Sequence, residues 1–173
     1  MTGFYLAIGK QGSGKTCLIT KLCFDNYQEG VKIYSNYSLF GLPYTKITLV
    51  TLLDMLDQDQ KGLNDSIILI DEIHIYLDSL DFMRKNNRRL QIFFSQLRKR
   101  NILLLGTTQY LMNVDVRIRR QCLNVFEMEH IYKDLFEVTT HVIDGYFTDE
   151  VSRYTLQLND YYTKYDTNEI ITQ

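Results

Sequence analysis

An α/β fold with a mainly parallel central sheet flanked by helices is predicted by three stretches of the 173-residue chain. Each is an apolar run that stops abruptly at polar residues. Gly3 to Ile8 leads into Gly9, Ile67 to Ile70 leads into Asp71-Glu72, and Ile102 to Leu105 leads into Gly106-Thr107-Thr108-Gln109. Near-continuous β-favouring runs mark strands covered on both faces, as parallel sheets are. Ligands of such sheets sit beyond the carboxyl ends of the strands, so chemistry is expected at these tips.

The first tip organises the rest. Gly9-Lys10-Gln11-Gly12-Ser13-Gly14-Lys15-Thr16 reads G-x-x-x-x-G-K-[ST], with a strand before it and an amphipathic stretch after it. Its glycines let the backbone turn its N–H groups toward phosphate oxygens. The positive end of the following helix favours the same anion. Lys15 is expected to reach the β- and γ-phosphates and the Thr16 hydroxyl to hold Mg²⁺. The expected cradle is therefore Gly9 to Thr16, together with the next residue, Cys17.

After the loop, Leu18, Ile19, Leu22 and Cys23 recur at helical spacing, and Gly30 stops the helix. Val31 to Tyr34 reads as a short strand, Ser35 to Thr45 as an excursion loop, and Ile47 as the start of another short strand. Leu49 to Leu56 places four leucines on one helical face, and Gln58 to Asp65 is polar and loop-like. Ile67 to Ile70 then delivers two acids to the carboxyl edge. Asp71 is suited to hold Mg²⁺ and Glu72 to act as general base toward water.

Ile73 to Phe82 reads as a loop with a short helix. From Asn87, the positions Leu90, Phe93, Phe94 and Leu97 define an amphipathic helix, its aromatics facing the core. Thr107-Thr108-Gln109 forms a polar tip on the same edge as Asp71, where Gln109 is suited to contact the γ-phosphate or its water. Val114 to Arg120 is a basic turn or short helix. Asn124 to Glu129 and Leu135 to Val142 read as strands paired in a hairpin around Lys133 and Asp134. The tyrosine-rich tail, roughly 158–173, is expected to form an arm, so that residues 1–173 make one domain with a β-rich C-terminal part.

Composition narrows the classes. Cys17, Cys23 and Cys122 are odd in number and scattered, which argues against a disulfide framework. His74, His130 and His141 lack metal-ligand spacing. No stretch approaches the ~18 apolar residues of a membrane span, and the N-terminus lacks a signal-peptide pattern, so a soluble, intracellular protein is expected. The net charge of −2 conceals an asymmetry: Arg84 to Arg120 holds ten Lys/Arg and one acid, Asp115. Such a block is either a polyanion footprint or a solvated face. Within it, Arg98 and Arg100, just before a central strand, are the first candidates for an arginine inserted into a neighbour's site. Arg117, Arg119 and Arg120 are the second.

Gly9 to Thr16, Ile67 to Glu72 and above all the run from Gln96 to Gln109 resemble the FtsK–HerA superfamily of DNA-pumping ATPases. Within it the chain is similar to the genome-packaging ATPases of viruses with internal membranes and to zonula occludens toxin-like phage assembly proteins. Val114 to Arg119 resembles the segment after the family's sensor glutamine, and Tyr165 to Glu169 its C-terminal ending. The resemblance implies a RecA-like P-loop ATPase that pumps double-stranded DNA into a capsid as a ring, expected to be a hexamer. It also implies an arginine finger at Arg98 or Arg100, a sensor at Gln109, a capsid or portal-vertex protein as partner, and a cytoplasmic or virion-associated location. Two other classes remain open: an NTP-dependent assembly factor or switch that binds protein, and a small-molecule kinase. The Asp71-Glu72 pair and Gln109 favour hydrolysis over transfer to a second substrate.

Overall fold

The computed structural model describes residues 1–58, 60–77, 89–144 and 147–169. It contains one eight-stranded sheet with the order β3-β2-β4-β5-β1-β6-β7-β8. The strands are β1 (Gly3–Ile8), β2 (Lys32–Ser35), β3 (Thr45–Lys46), β4 (Ser66–Ile70), β5 (Ile102–Thr108), β6 (Cys122–Tyr132), β7 (Leu135–Asp144) and β8 (Phe147–Gln157). Pairing is parallel from β3 across to β6 and antiparallel along β6-β7-β8. The helices are α1 (Lys15–Asn26), α2 (Leu49–Gln58), α3 (Ile73–Leu77), α4 over 89–96 and α5 (Val116–Arg119).

Alternation along the central strands explains their apolar runs. All seven positions of β5 are buried. Ile102 and Leu104 join Phe4, Leu6, Ile68 and Ile70 beneath α2 and α4, where Leu90, Phe93, Phe94 and Leu97 are all buried. Leu103 and Leu105 face the other way and pack with Ile67, Leu69 and the α1 residues Cys17, Leu18, Ile19 and Cys23. A strand buried on both sides has no polar face to show, so its sequence is unbroken by polar residues. Phe4 meets Phe94 edge to face, with ring centroids 5.0 Å apart.

Among the described residues the structure departs from the sequence-based expectations in several places: α1 ends at Asn26, short of Gly30, and the expected loop over Gln58 to Asp65 holds a 3-10 turn at Gln60–Leu63 with Leu63 fully buried. The segment after β2 is not an excursion: Asn36, Tyr37 and Leu39 are buried, and the Tyr37 hydroxyl lies 2.9 Å from Thr20 Oγ1 on α1. The short strand expected at Ile47 is Thr45–Lys46, and Ile47 follows it with its N–H donated to Ser35 O. The hairpin is the first part of a three-stranded meander, whose third strand, β8, no apolar periodicity announces. Most of β8 is exposed on both faces, so neither face selects hydrophobic residues. Finally, the expected C-terminal arm packs on the fold as a strap over 158–169. Leu158 is fully buried, Leu39 bridges Tyr165, and Phe40 N–H donates to Lys164 O. Of the expected loop-and-helix over Ile73–Phe82 only α3 is described. Asn87 at the expected start of α4 and the basic residues Arg84, Lys85 and Arg88 lie outside the described residues, as does the tail beyond Glu169.

The strap is pinned at its end by Glu169, which ion-pairs with Lys46 and accepts the Ser38 N–H. Partial burial pushes the Glu169 carboxyl up, but the hydrogen bonds from Lys46 and Ser38 outweigh it and hold the group below the ordinary carboxylate range. A depressed carboxyl contributes stability above its unfolded pKa and loses it as pH falls through the folded one. Acidification below the ordinary carboxylate range should therefore release the strap. Hydrogen exchange at 37–40 and 164–169 should rise there, and Glu169→Gln should give the same rise at neutral pH.

Candidate functional site

The loop after β1 is shaped by close approach as much as by turning. Gly9, at φ 141°, has no room for a side chain: a Cβ would lie 2.5 Å from Met128 O on β6. Gly14, at φ 83° and immediately before α1, would bring a Cβ to 2.9 Å from the Phe136 ring on β7. The loop is thus clamped between its own strand and the meander. The N–H of Gly9 donates to Gln109 O at 3.3 Å, tying the loop to the tip of β5.

Lys15 is 6% exposed and donates from Nζ to Lys10 O at 2.9 Å, spanning the loop. Burial lowers its pKa, against the pull of Glu72 and Asp71, which favour the charged form. A cation held in a desolvated loop, short of counter-charge, is set up to receive an anion. The Thr16 hydroxyl donates to Asp71 Oδ1 at 3.0 Å. Two hard oxygen donors at that separation fit a Mg²⁺ ion, which takes a carboxylate, a hydroxyl, phosphate oxygens and water. Cys17 is fully buried and its thiol faces Leu158 O at 3.6 Å, so its side chain is engaged with the C-terminal strap.

The two acids are fixed by residues that sequence reasoning did not single out for this role. Thr107 Oγ1 donates to Asp71 Oδ1 at 2.5 Å and accepts the Glu72 N–H at 2.9 Å. Asn36 brackets the Asp71 backbone, accepting its N–H at 2.8 Å and donating to its carbonyl at 2.9 Å. These bonds hold Glu72 at φ 49°, a left-handed conformation that a non-glycine residue adopts only when its surroundings enforce it. The signal lay in pairing rather than in motif: Ile70 pairs with Gly106, which brings Thr107 level with Asp71, and Ser35 pairs with Leu69, which leaves Asn36 beside Ile70, one residue short of Asp71. His74, read from sequence as an ordinary residue, lies with Nδ1 3.2 Å from both Glu72 Oε2 and Thr108 Oγ1.

The arginine candidates stand elsewhere. Arg98 and Arg100 precede β5 at the amino edge of the sheet, where Leu103 pairs with Gly3. The six residues of β1 separate that edge from the loop by about 20 Å at ~3.3 Å per residue. Neither side chain therefore reaches its own chain's phosphate cradle. Arg100 is engaged internally, donating Nε to Asn64 Oδ1 at 2.9 Å and lying over the Phe93 ring. Arg98 is exposed. Arg117 is held by Asp115 through two hydrogen bonds of 2.9 and 2.7 Å, and Arg119 points Nη1 at Met112 Sδ. Arg120 is exposed at the end of α5.

A phosphate loop on β1, an acid pair on β4 and a polar-tipped β5 between them define a RecA-like P-loop NTPase. The chain belongs to the ATPase family associated with various cellular activities (AAA), whose model matches residues 5–130. Among solved structures it is similar to the N-terminal domain of zonular occludens toxin from Neisseria meningitidis. That match has a TM-score of 0.63 and 15% identity, covering 96% of this chain and 100% of the other. It is also similar to the RadB recombinase, at a TM-score of 0.60 and 13% identity over 90% of this chain and 86% of that one. No curated protein matches the chain. Among the described residues no helix is long and apolar enough to cross a membrane.

Thr107→Val keeps the shape of the side chain while removing the hydroxyl that fixes both acids. Loss of a bond that orients a ligand group commonly costs ~10–100-fold. NTP hydrolysis by the variant should fall by about that factor while nucleotide affinity stays within ~3-fold, as measured by steady-state hydrolysis beside equilibrium titration.

Proposed function

We propose that the chain is an ATP-driven motor that moves double-stranded DNA, packaging a viral genome into a capsid as a ring, with six subunits expected. The observation that carries this reading is the placement of Arg98. It is exposed, basic and about 20 Å from the cradle of its own chain, so it serves a nucleotide only in a neighbouring subunit. Arg100, engaged with Asn64 and Phe93, is the weaker candidate for that role.

In this reading Lys15 and loop N–H groups between Lys10 and Cys17 hold the phosphates, the N–H groups of Gly9 and Ser13 being taken by Gln109 O and Lys10 O. Thr16 and Asp71 hold Mg²⁺, which supplies charge neutralisation on the phosphate oxygens when bound. Glu72 accepts the proton of the attacking water, its carboxylate aimed by the left-handed backbone that Thr107 enforces. Gln109, joined to the loop through Gly9, reports the γ-phosphate. An arginine supplied by a neighbour commonly contributes ~10³–10⁵ in rate, so the isolated subunit should be slow.

Arg89, Arg98, Lys99, Arg117 and Arg120 are exposed and supply a basic surface for the DNA backbone, outside whichever arginine enters the neighbouring site. Such contacts ignore base sequence and weaken steeply with salt. A capsid or portal-vertex protein would anchor the ring, in the host cytoplasm or the virion.

ATP hydrolysis measured against protein concentration, with and without double-stranded DNA, tests the proposal. The rate per subunit should climb with concentration, rise with DNA at low salt and lose that rise at moderate salt. Arg98→Ala and Glu72→Gln should each abolish hydrolysis, and mixing the two inactive variants should restore part of it, since one interface then combines both intact groups. A flat, DNA-blind rate with no recovery on mixing would replace the motor with a nucleotide-dependent switch that binds protein.

A further inference from the structure

Thr16 and Asp71 are both braced from one short segment outside the phosphate loop. Asn36 and Tyr37, adjacent residues just past the end of β2, reach them by separate routes. Asn36 binds the Asp71 backbone at both its N–H and its carbonyl. Tyr37, 1% exposed, places its hydroxyl 2.9 Å from Thr20 Oγ1 on α1. Thr20 has one hydroxyl proton and donates it to Thr16 O at 2.8 Å, so the Tyr37 O–H is the donor to Thr20. The turn of α1 that carries Thr16 is thereby braced from behind. Ser35 fixes the Tyr37 main chain, its Oγ donating to Tyr37 O at 2.7 Å and accepting the N–H at 3.2 Å. The C-terminal strap is fastened to the same segment. Asp166 N–H donates to Ser38 O at 3.2 Å, Phe40 N–H to Lys164 O at 2.7 Å, and Ser38 N–H to Glu169. The Tyr165 ring meets the Tyr37 ring edge to face, with centroids 6.1 Å apart.

We propose that Tyr37 is a positioning residue for the metal ligands and that the docked strap holds it in that role, an inference whose ligand rests on the nucleotide-site reading above. Fastened, the strap keeps the 36–38 segment in place, and with it both Thr16 and Asp71. Released, it loosens both at once, because one segment carries both braces. A phenylalanine would fill the space of the Tyr37 ring equally well, so packing does not account for the hydroxyl that Thr20 accepts. Coupling between two sites is reciprocal, so a metal-bound nucleotide must in turn tighten the strap. The strap also touches α1 directly, through Leu158 O at the Cys17 thiol and Tyr161 against Phe24. Tyr37→Phe leaves those contacts alone and isolates the route through the segment.

Hydrogen exchange and equilibrium titration on the full chain test the relay. In the ligand-free protein, Glu169→Gln should speed exchange at the Asp71 amide, whose acceptor is Asn36, and leave Leu103–Leu105 in β5 unchanged. An unmoved Asp71 amide in a chain whose strap has loosened overturns the relay, and so does equal acceleration in β5, which marks general destabilisation. A non-hydrolysable ATP analogue is then titrated with Mg²⁺ and with EDTA. With Mg²⁺, Tyr37→Phe and Glu169→Gln should each bind it about three- to tenfold more weakly than the parent, the effect of one hydrogen bond, and with EDTA within about twofold. The same complex should slow exchange at 164–169 in the parent. Equal loss with and without metal, or no loss in either variant, overturns the positioning role. A parent that binds neither form has failed the nucleotide-site reading itself, and the Asp71 amide alone then decides whether strap and segment are coupled.

Discussion

The phosphate loop and the acid pair belong to strands that do not touch. β5 lies between β1 and β4, so Thr16 and Asp71 must meet across two strand spacings, roughly 9–10 Å of sheet. The gap is closed from both sides and from the middle. The loop leans across, Asn36 just past the end of β2 holds the Asp71 backbone, and Thr107 on the intervening strand binds its carboxylate. An inserted strand is thus part of the site rather than a spacer. Its body must be apolar to fill both cores, and its tip must be polar to join the acids. The run Leu103-Leu104-Leu105-Gly106-Thr107-Thr108 is that compromise written out. Gly106 marks the changeover, since a Cβ there would crowd Ile73 and Leu6.

This division explains what sequence could and could not show. The buried strands, the loop and the acid pair were legible because each has its own local signature: period, glycine placement, or a charge at a strand end. α4 was legible from the spacing of Leu90, Phe93, Phe94 and Leu97, all of which are buried. Asn36 and Thr107 were not, because their importance lies in which strand neighbours which, and pairing order is not a local property. β8 was missed for a different reason. A strand held by backbone pairing to β7 along its length, with solvent on both faces, carries no alternation to read. The strap was underestimated because its tyrosines are only partly buried. Their contribution is rings packed on α1 and on the β2–β3 connection, such as Tyr161 against Phe24 and Tyr165 against Tyr37.

The clamped loop gives the site a conditional character. Lys15 is satisfied by a carbonyl of its own loop, Thr16 by an acid, and Glu72 faces His74. Lys15 and Thr16 therefore each have a partner to exchange when phosphate and its metal arrive, which lowers the cost of keeping the buried ammonium unliganded. The glycines at 9 and 14 hold the loop against β6 and β7, so the backbone presents its amides without a large ordering cost on binding.

The three cysteines carry a practical consequence. All are free and buried, and burial pushes the thiols of Cys17 and Cys23 up to about 12 and raises that of Cys122 as well. Almost none of the reactive thiolate exists at neutral pH, and access is blocked in the folded chain. A single cysteine introduced on an exposed position can therefore take a maleimide dye or spin label without stripping the native thiols. Distances between subunits, or between the loop and the meander, become measurable in the otherwise natural sequence.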